Sequence, residues 1–163
     1  MAAIFLSLGA SAAPNARFYG LSSGNASAFT ASPNGSAVSI LFDNLQLERA
    51  NSSVPPKNPA ERHFTLAASP GAKGCRATFA LRGGSIALNT PRVGTIILNV
   101  EGRRATLRPE EDSWTFTVEM PLARRERTDV TVSLDLPLPA ENGSALIVVD
   151  SVDVSLGKCG GKA

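Results

Sequence analysis

Histidine is nearly absent: His63 is the only one in 163 residues. That excludes most metal-catalysis layouts, which need two or three imidazoles. No histidine stands near the first residues either, which excludes a copper site built on a processed N-terminal histidine. Aromatic residues are scarce at 6%, with Trp114 the single tryptophan and Tyr19 the single tyrosine. A surface that stacks on sugar faces normally draws on several exposed rings. Charged residues make up 18% and the formal net charge is +2. A nucleic-acid binder carries a stronger, clustered basic balance, so no nucleic-acid partner is expected. The two basic runs, Arg103-Arg104 and Arg124-Arg125-Glu126-Arg127, read as solvated turns or strand ends. Long apolar runs are missing, so no helix that crosses a membrane is expected. No stretch carries a helical apolar period.

What is present points to export. Residues Ala2 to Leu8 are apolar, and Ala10-Ser11-Ala12 supplies the small residues of a signal-peptidase site. This reads as a secretory leader over 1–13, although no Lys or Arg precedes its apolar run. The mature chain is expected to start between Ala13 and Asn15. The two cysteines, Cys75 and Cys159, favour a disulfide in an exported protein. Four Asn-x-Ser sequons, at Asn25, Asn34, Asn51 and Asn142, lie in loop-like stretches where N-glycosylation would need them.

Period-two alternation recurs along the chain, broken by Gly, Pro, Asn and Asp. In "SWTFTVEM" the residues Trp114, Phe116, Val118 and Met120 share one face. In "TDVTVSLDL" Val130, Val132, Leu134 and Leu136 do the same, and "TIILNVEG" and "CRATFAL" repeat the pattern. "AVSILFDNLQLE" begins with Val38, Ile40 and Phe42 in phase, then Leu45 and Leu47 take the opposite parity. A bulge near Asp43-Asn44 would shift the register in that way. Glu101-Gly102 reads as a hairpin turn, and "NSSVPPKNPAE" as a surface loop. Eight or nine strands of this kind imply an all-β antiparallel sandwich, jelly-roll or Ig-like, with a closed barrel as the alternative. The expected organisation is a leader over 1–13, an N-terminal segment over 14–35, the sandwich over 36–159 and a tail over 160–163.

Each motif with a chemical reading meets a plainer one. "GLSSG" over Gly20–Gly24 matches the nucleophile-elbow pattern but lacks the following helix. "LRGGS" over Leu81–Ser85 lacks the helix of a phosphate cradle and reads as a hairpin turn. His63 opens a strand and reads as a surface or half-buried strand residue. Trp114 shares parity with core residues and reads as packing. Asp135 and Asp153 take outward parity. Asp150 is different. In "ALIVVDSVDVSLGKC" it shares parity with Leu146, Val148, Val152, Val154 and Leu156. A carboxylate facing a core is costly unless it is paired or hydrogen-bonded. Asp150 is therefore expected to be a buried structural acid. It would hold a kink at Asp150-Ser151 or pair with Arg76 or Arg104.

The order of these pieces resembles a known family. "SAVSILFDNLQLE" is followed by a Pro-rich loop, then by "KGCRATFAL", "LNVEGRRATL" and a closing "VVDSVDVSLGKC". This resembles the secreted bacterial and fungal family catalogued as a domain of unknown function, number 4360. Phe42-Asp43, Cys75, Val149-Asp150-Ser151 and Lys158-Cys159 fall on that family's short motifs, over roughly Ser36 to Cys159. Family members commonly carry two further cysteines, where this chain has "GLSSGNAS" and "ARRERTD". The resemblance implies secretion and an all-β fold, and leaves Cys75 and Cys159 to each other. It brings no activity with it.

The expectation is a secreted, extracellular, monomeric and non-catalytic sandwich that binds a cell-wall or matrix glycan or an extracellular protein. It needs no cofactor and no metal, and does not insert into membranes. An extracellular hydrolase using Asp43 and Asp150 as its acid pair is the first alternative, and requires both carboxyl groups in one cleft. A secreted effector acting on host proteins is the second.

Overall fold

Most strands form where branched or aromatic residues alternate with polar ones, and several stop beside a Gly, Asn or Asp that accepts a turn. The computed structural model describes residues 16–22, 26–50, 60–90, 94–110, 112–137, 139 and 142–159. The described residues hold eleven strands: β1 (Phe18–Ser22), β2 (Ala26–Ala31), β3 (Ala37–Phe42), β4 (Gln46–Ala50), β5 (Glu61–Ala68), β6 (Arg76–Leu88), β7 (Thr95–Val100), β8 (Arg103–Leu107), β9 (Asp112–Pro121), β10 (Arg127–Asp135) and β11 (Ser144–Leu156). One short 3-10 turn, Pro70–Ala72, precedes β6.

The strands make two antiparallel sheets. The first runs β1-β5-β10-β7-β8, and the second β2-β3-β11-β6-β9, with β4 also paired to β11. The sandwich expectation holds. The strand count is higher than expected because β1 and β2, from the 14–35 segment, add an edge to each sheet. β2 is mostly Ala, Ser and Thr, and β1 shifts register between Phe18 and Gly20, so neither shows a clear alternation. The leader region over 1–13 lies outside the described residues.

The core lies between the sheets. Phe64, Leu66, Ile96, Leu98, Val130 and Val132 from the first sheet meet Ile40, Phe79, Leu81, Ile147, Val152 and Val154 from the second, all fully buried. Each contributes about 1.5–3 kcal/mol relative to an exposed position. The Glu101-Gly102 turn is as expected: both residues have positive φ, 51° and 79°, the two-residue geometry that matches strand twist. "LRGGS" is not a turn. Gly83 and Gly84 lie inside the thirteen-residue strand β6, paired with β11 on one side and β9 on the other.

A crease crosses the second sheet at one level. β3 and β4 lie end to end along the same edge of β11, β3 against Ser151–Ser155 and β4 against Ser144–Val148. The link between them turns at Asn44, whose φ is 57°. Phe42 is buried before the link, and Leu45 and Leu47 after it, so the expected parity change is present. Opposite this link, β11 itself bulges. Its pairing with β6 steps from Val149↔Gly83 to Ser151↔Arg82, which leaves Asp150 as the extra residue. Arg62, from the facing sheet, reaches across the core and donates from Nη2 to the carbonyl oxygens of Asp43 and Asn44, each at 3.1 Å. Arg62→Met keeps an apolar stem and removes these donors. A loss of about 1–3 kcal/mol is expected, measured as a lower urea midpoint. An unchanged midpoint would mean that water replaces the guanidinium at no cost.

Candidate functional site

The bulge decides where Asp150 points. Before it, Ala145, Ile147 and Val149 face the core; after it, Val152 and Val154 do. Asp150 is exposed, and Leu146 and Val148 lie on the outer face. The expectation of a buried acid is therefore corrected. Strict alternation carried the outer residues Leu146 and Val148 inward, and one extra residue reverses that assignment. The kink at Asp150-Ser151 is present as a bulge. Among the described residues Asp150 makes no ion pair: Arg76 binds Glu119 at 2.7 Å, and Asp153 takes Arg82 at 3.3 Å.

Outside the second sheet, this arrangement leaves a trough of about 450 Å³. It is lined by Gly83, Gly84, Ser85, Ile86, Asp112, Ser113, Leu146, Val148 and Asp150. Its floor is the bare backbone of Gly83-Gly84, where β6 presents no side chains. Leu146 and Val148 stand opposite Ile86 and Gly84 in register and make an apolar wall. Ile86 is 64% exposed and Leu88, next on the same face, 59%. Asp150 enters from the bulge, and Asp112, φ 73°, from the first residue of β9. Ser85 is nearly buried and donates to the carbonyl oxygen of Glu110, which holds the loop before β9 against the trough. Behind the floor, Trp114 is buried and packs on Phe116 with ring centroids 5.3 Å apart. It is a core residue, as expected, and offers no stacking face.

The remaining candidates lie elsewhere. Asp43 is exposed in the β3–β4 link and does not line the trough. His63 is an exposed strand residue with Nδ1 3.1 Å from the hydroxyl of Thr131. Cys75 and Cys159 form the expected disulfide. Asn34 sits in an exposed turn, its Oδ1 accepting from Ser36 N–H at 3.1 Å and Ser36 Oγ at 2.8 Å. Asn142 is exposed in the turn before β11. Asn25 and Asn51 lie outside the described residues. Among the described residues no group of three His, Cys, Asp or Glu could hold a metal ion, and no helix is long and apolar enough to cross a membrane.

Sequence reading passed over the glycine floor and the outer aliphatic wall. A glycine pair inside a long strand signal is itself a mark of close backbone approach, and that was the available clue.

No family model matches the chain, and neither does any curated protein. Solved structures do. The chain is similar to the CBM36-1 domain of a multidomain xylanase from the hindgut metagenome of Trinervitermes trinervoides, at 15% identity and TM-score 0.41, covering 90% of this chain and 91% of that one. It is similar to a family 35 carbohydrate binding module from Clostridium thermocellum, at 11% identity and TM-score 0.41, over 83% of this chain and 98% of that one. A third similarity is to the carbohydrate-binding module CBM36 in complex with calcium and xylotriose, at 16% identity and TM-score 0.38, over 87% and 95%.

Proposed function

We propose that the protein is a non-catalytic extracellular module that binds a glycan of cell wall or matrix in the trough on its second sheet. One observation carries the reading: an open depression with a backbone floor, aliphatic walls and a carboxylate on either side. Its volume of about 450 Å³ falls in the ordinary range for ligand sites, roughly 300–1,000 Å³. A sugar ring has an apolar C–H face and a rim of hydroxyls. The C–H face suits Ile86, Leu146 and Val148, and the hydroxyls can donate to Asp112 and Asp150. The non-catalytic reading is supported against one alternative, the Asp43/Asp150 hydrolase. A hydrolase built on Asp43 and Asp150 needs both in one cleft, and only Asp150 lines this one.

The two glycines allow a clean test. A Cβ on Gly84 would meet only the Asp112 carbonyl oxygen, at 3.5 Å, which is ordinary contact. Gly84→Leu therefore fills the trough with little effect on the fold. On a glycan array followed by titration calorimetry, the wild type is expected to bind, and Gly84→Leu to lose at least about tenfold in affinity. A wild type that binds no glycan, or a variant that binds equally well, overturns the reading. A protein partner is the second reading, favoured by the exposed Ile86 and Leu88 at the trough's end. It predicts an empty array and a trough-dependent pull-down.

A further inference from the structure

A second concave site lies at the other end of β9. Its lining is Gly74, Glu101, Arg103, Pro121, Leu122, Ala123, Arg124 and Arg125, around a cleft of about 550 Å³. The two basic runs that read as separate solvated turns meet here, one from the β7–β8 hairpin and one from the β9–β10 connection. Three arginines stand against one glutamate, a formal surplus of +2, equal to the net charge of the whole chain.

The arginines are not equivalent. Arg125 is held in place: its Nη2 lies 3.1 Å from Glu101 Oε2 and 3.0 Å from Asp129 Oδ2. Its Nε donates to the Arg127 carbonyl at 3.1 Å. Glu101 is fixed in turn, because its carboxylate accepts the Asp129 N–H at 2.6 Å. The side chains of Arg103 and Arg124 are exposed and make no ion pair or hydrogen bond among the described residues. The floor is rigid. Gly74 N–H donates to Ala123 O at 3.0 Å and Leu122 N–H to Cys75 O at 2.8 Å, beside the disulfide at Cys75. Two uncommitted guanidiniums over a fixed floor are suited to an anion, since each can make charge-assisted, bidentate hydrogen bonds to it.

We infer that this cleft binds the carboxylate or sulfate groups of an acidic polysaccharide. A single-stranded nucleic acid fits less well, because it needs aromatic stacking platforms and no aromatic residue lines the cleft. The site is separate from the trough. Asp112 and Pro121 bound β9, and that length of extended strand spans about 30 Å. Failure of one reading therefore leaves the other standing.

The test is affinity electrophoresis and calorimetry with three probes: heparin, polygalacturonate and a single-stranded oligonucleotide. The wild type is expected to bind heparin or polygalacturonate, and more weakly as salt rises. Retention of heparin alone identifies a sulfate site, and retention of both a carboxylate-accepting one. The Arg103→Gln/Arg124→Gln variant is expected to lose at least about tenfold, while keeping the wild-type melting temperature because both residues are exposed. Gly84→Leu is expected to bind these probes as the wild type does. No binding to either polysaccharide, equal binding by the double arginine variant, or tighter binding of the oligonucleotide overturns the proposal.

Discussion

Gly83→Ala is expected to destabilise the protein by about 3 kcal/mol or more, while Gly84→Ala, one residue on, changes stability by less than about 1 kcal/mol. The two glycines are neighbours in one strand and neither has positive φ, so backbone strain does not separate them. Space does. A Cβ on Gly83 would fall inside the contact distance of the Val148 carbonyl oxygen, and would lie 2.7 and 2.9 Å from two carbons of the Trp114 ring. The first neighbour is backbone of β11, drawn close beside the Asp150 bulge, and cannot give way without breaking the ladder. The second is a large buried ring at the edge of the core. Gly84 faces the open trough. In chemical denaturation the difference should appear as a large drop in midpoint for Gly83→Ala and almost none for Gly84→Ala. For a domain of this size the melting temperature should fall by roughly 6–12 °C in the first case. Equal stabilities would show that β11 can move away from β6, and the bulge would then be no fixed feature of the sheet.

The same crease marks how far sequence carries. The parity change from Phe42 to Leu45 was legible, because apolar residues on both sides of Asp43-Asn44 reported it. The matching change in β11 was not. "ALIVVDSVDV" has apolar residues at both parities before Asp150, so alternation alone cannot tell Leu146 and Val148 from Ala145, Ile147 and Val149. The answer lies in the partner strands: Gly83 accepts the close backbone, and Arg62 from the other sheet fixes the link beside the bulge. Both are long-range contacts, invisible to a local window. The trough was illegible for the same reason. It is made of what β6 lacks at Gly83-Gly84 and of residues that a local reading had placed in the core. The basic cleft was half legible: each arginine run was plain, but only the topology puts the β7–β8 hairpin beside the β9–β10 connection. The disulfide was the easiest feature, since a pair of cysteines allows one bridge.

Removing that bridge with Cys75→Ala/Cys159→Ala is expected to cost about 4.5 kcal/mol, the chain-entropy value for a closed loop of this length. The separation is 84 residues. The folded state does not depend on the bridge to place its strands. β11 already pairs with β6 from Ser144 to Leu156. Backbone bonds continue past it, Gly157 N–H to Arg76 O and Arg76 N–H to Lys158 O, both 2.8 Å. The bridge therefore acts mainly on the unfolded chain, where it holds the middle of the sequence to its last described residues. Two results should follow together. The urea midpoint should fall by the equivalent of several kcal/mol, and the circular dichroism spectrum of the folded variant at 25 °C should match the wild type. Cys75 is fully buried, so part of the loss will come from the atoms deleted there. Cys75→Val with Cys159→Ala restores bulk at that position and isolates the loop term. If this second variant is as stable as the wild type, the bridge contributes packing and not chain restraint. A reducing agent gives the same comparison without mutation, and should lower the wild-type midpoint towards that of the double variant.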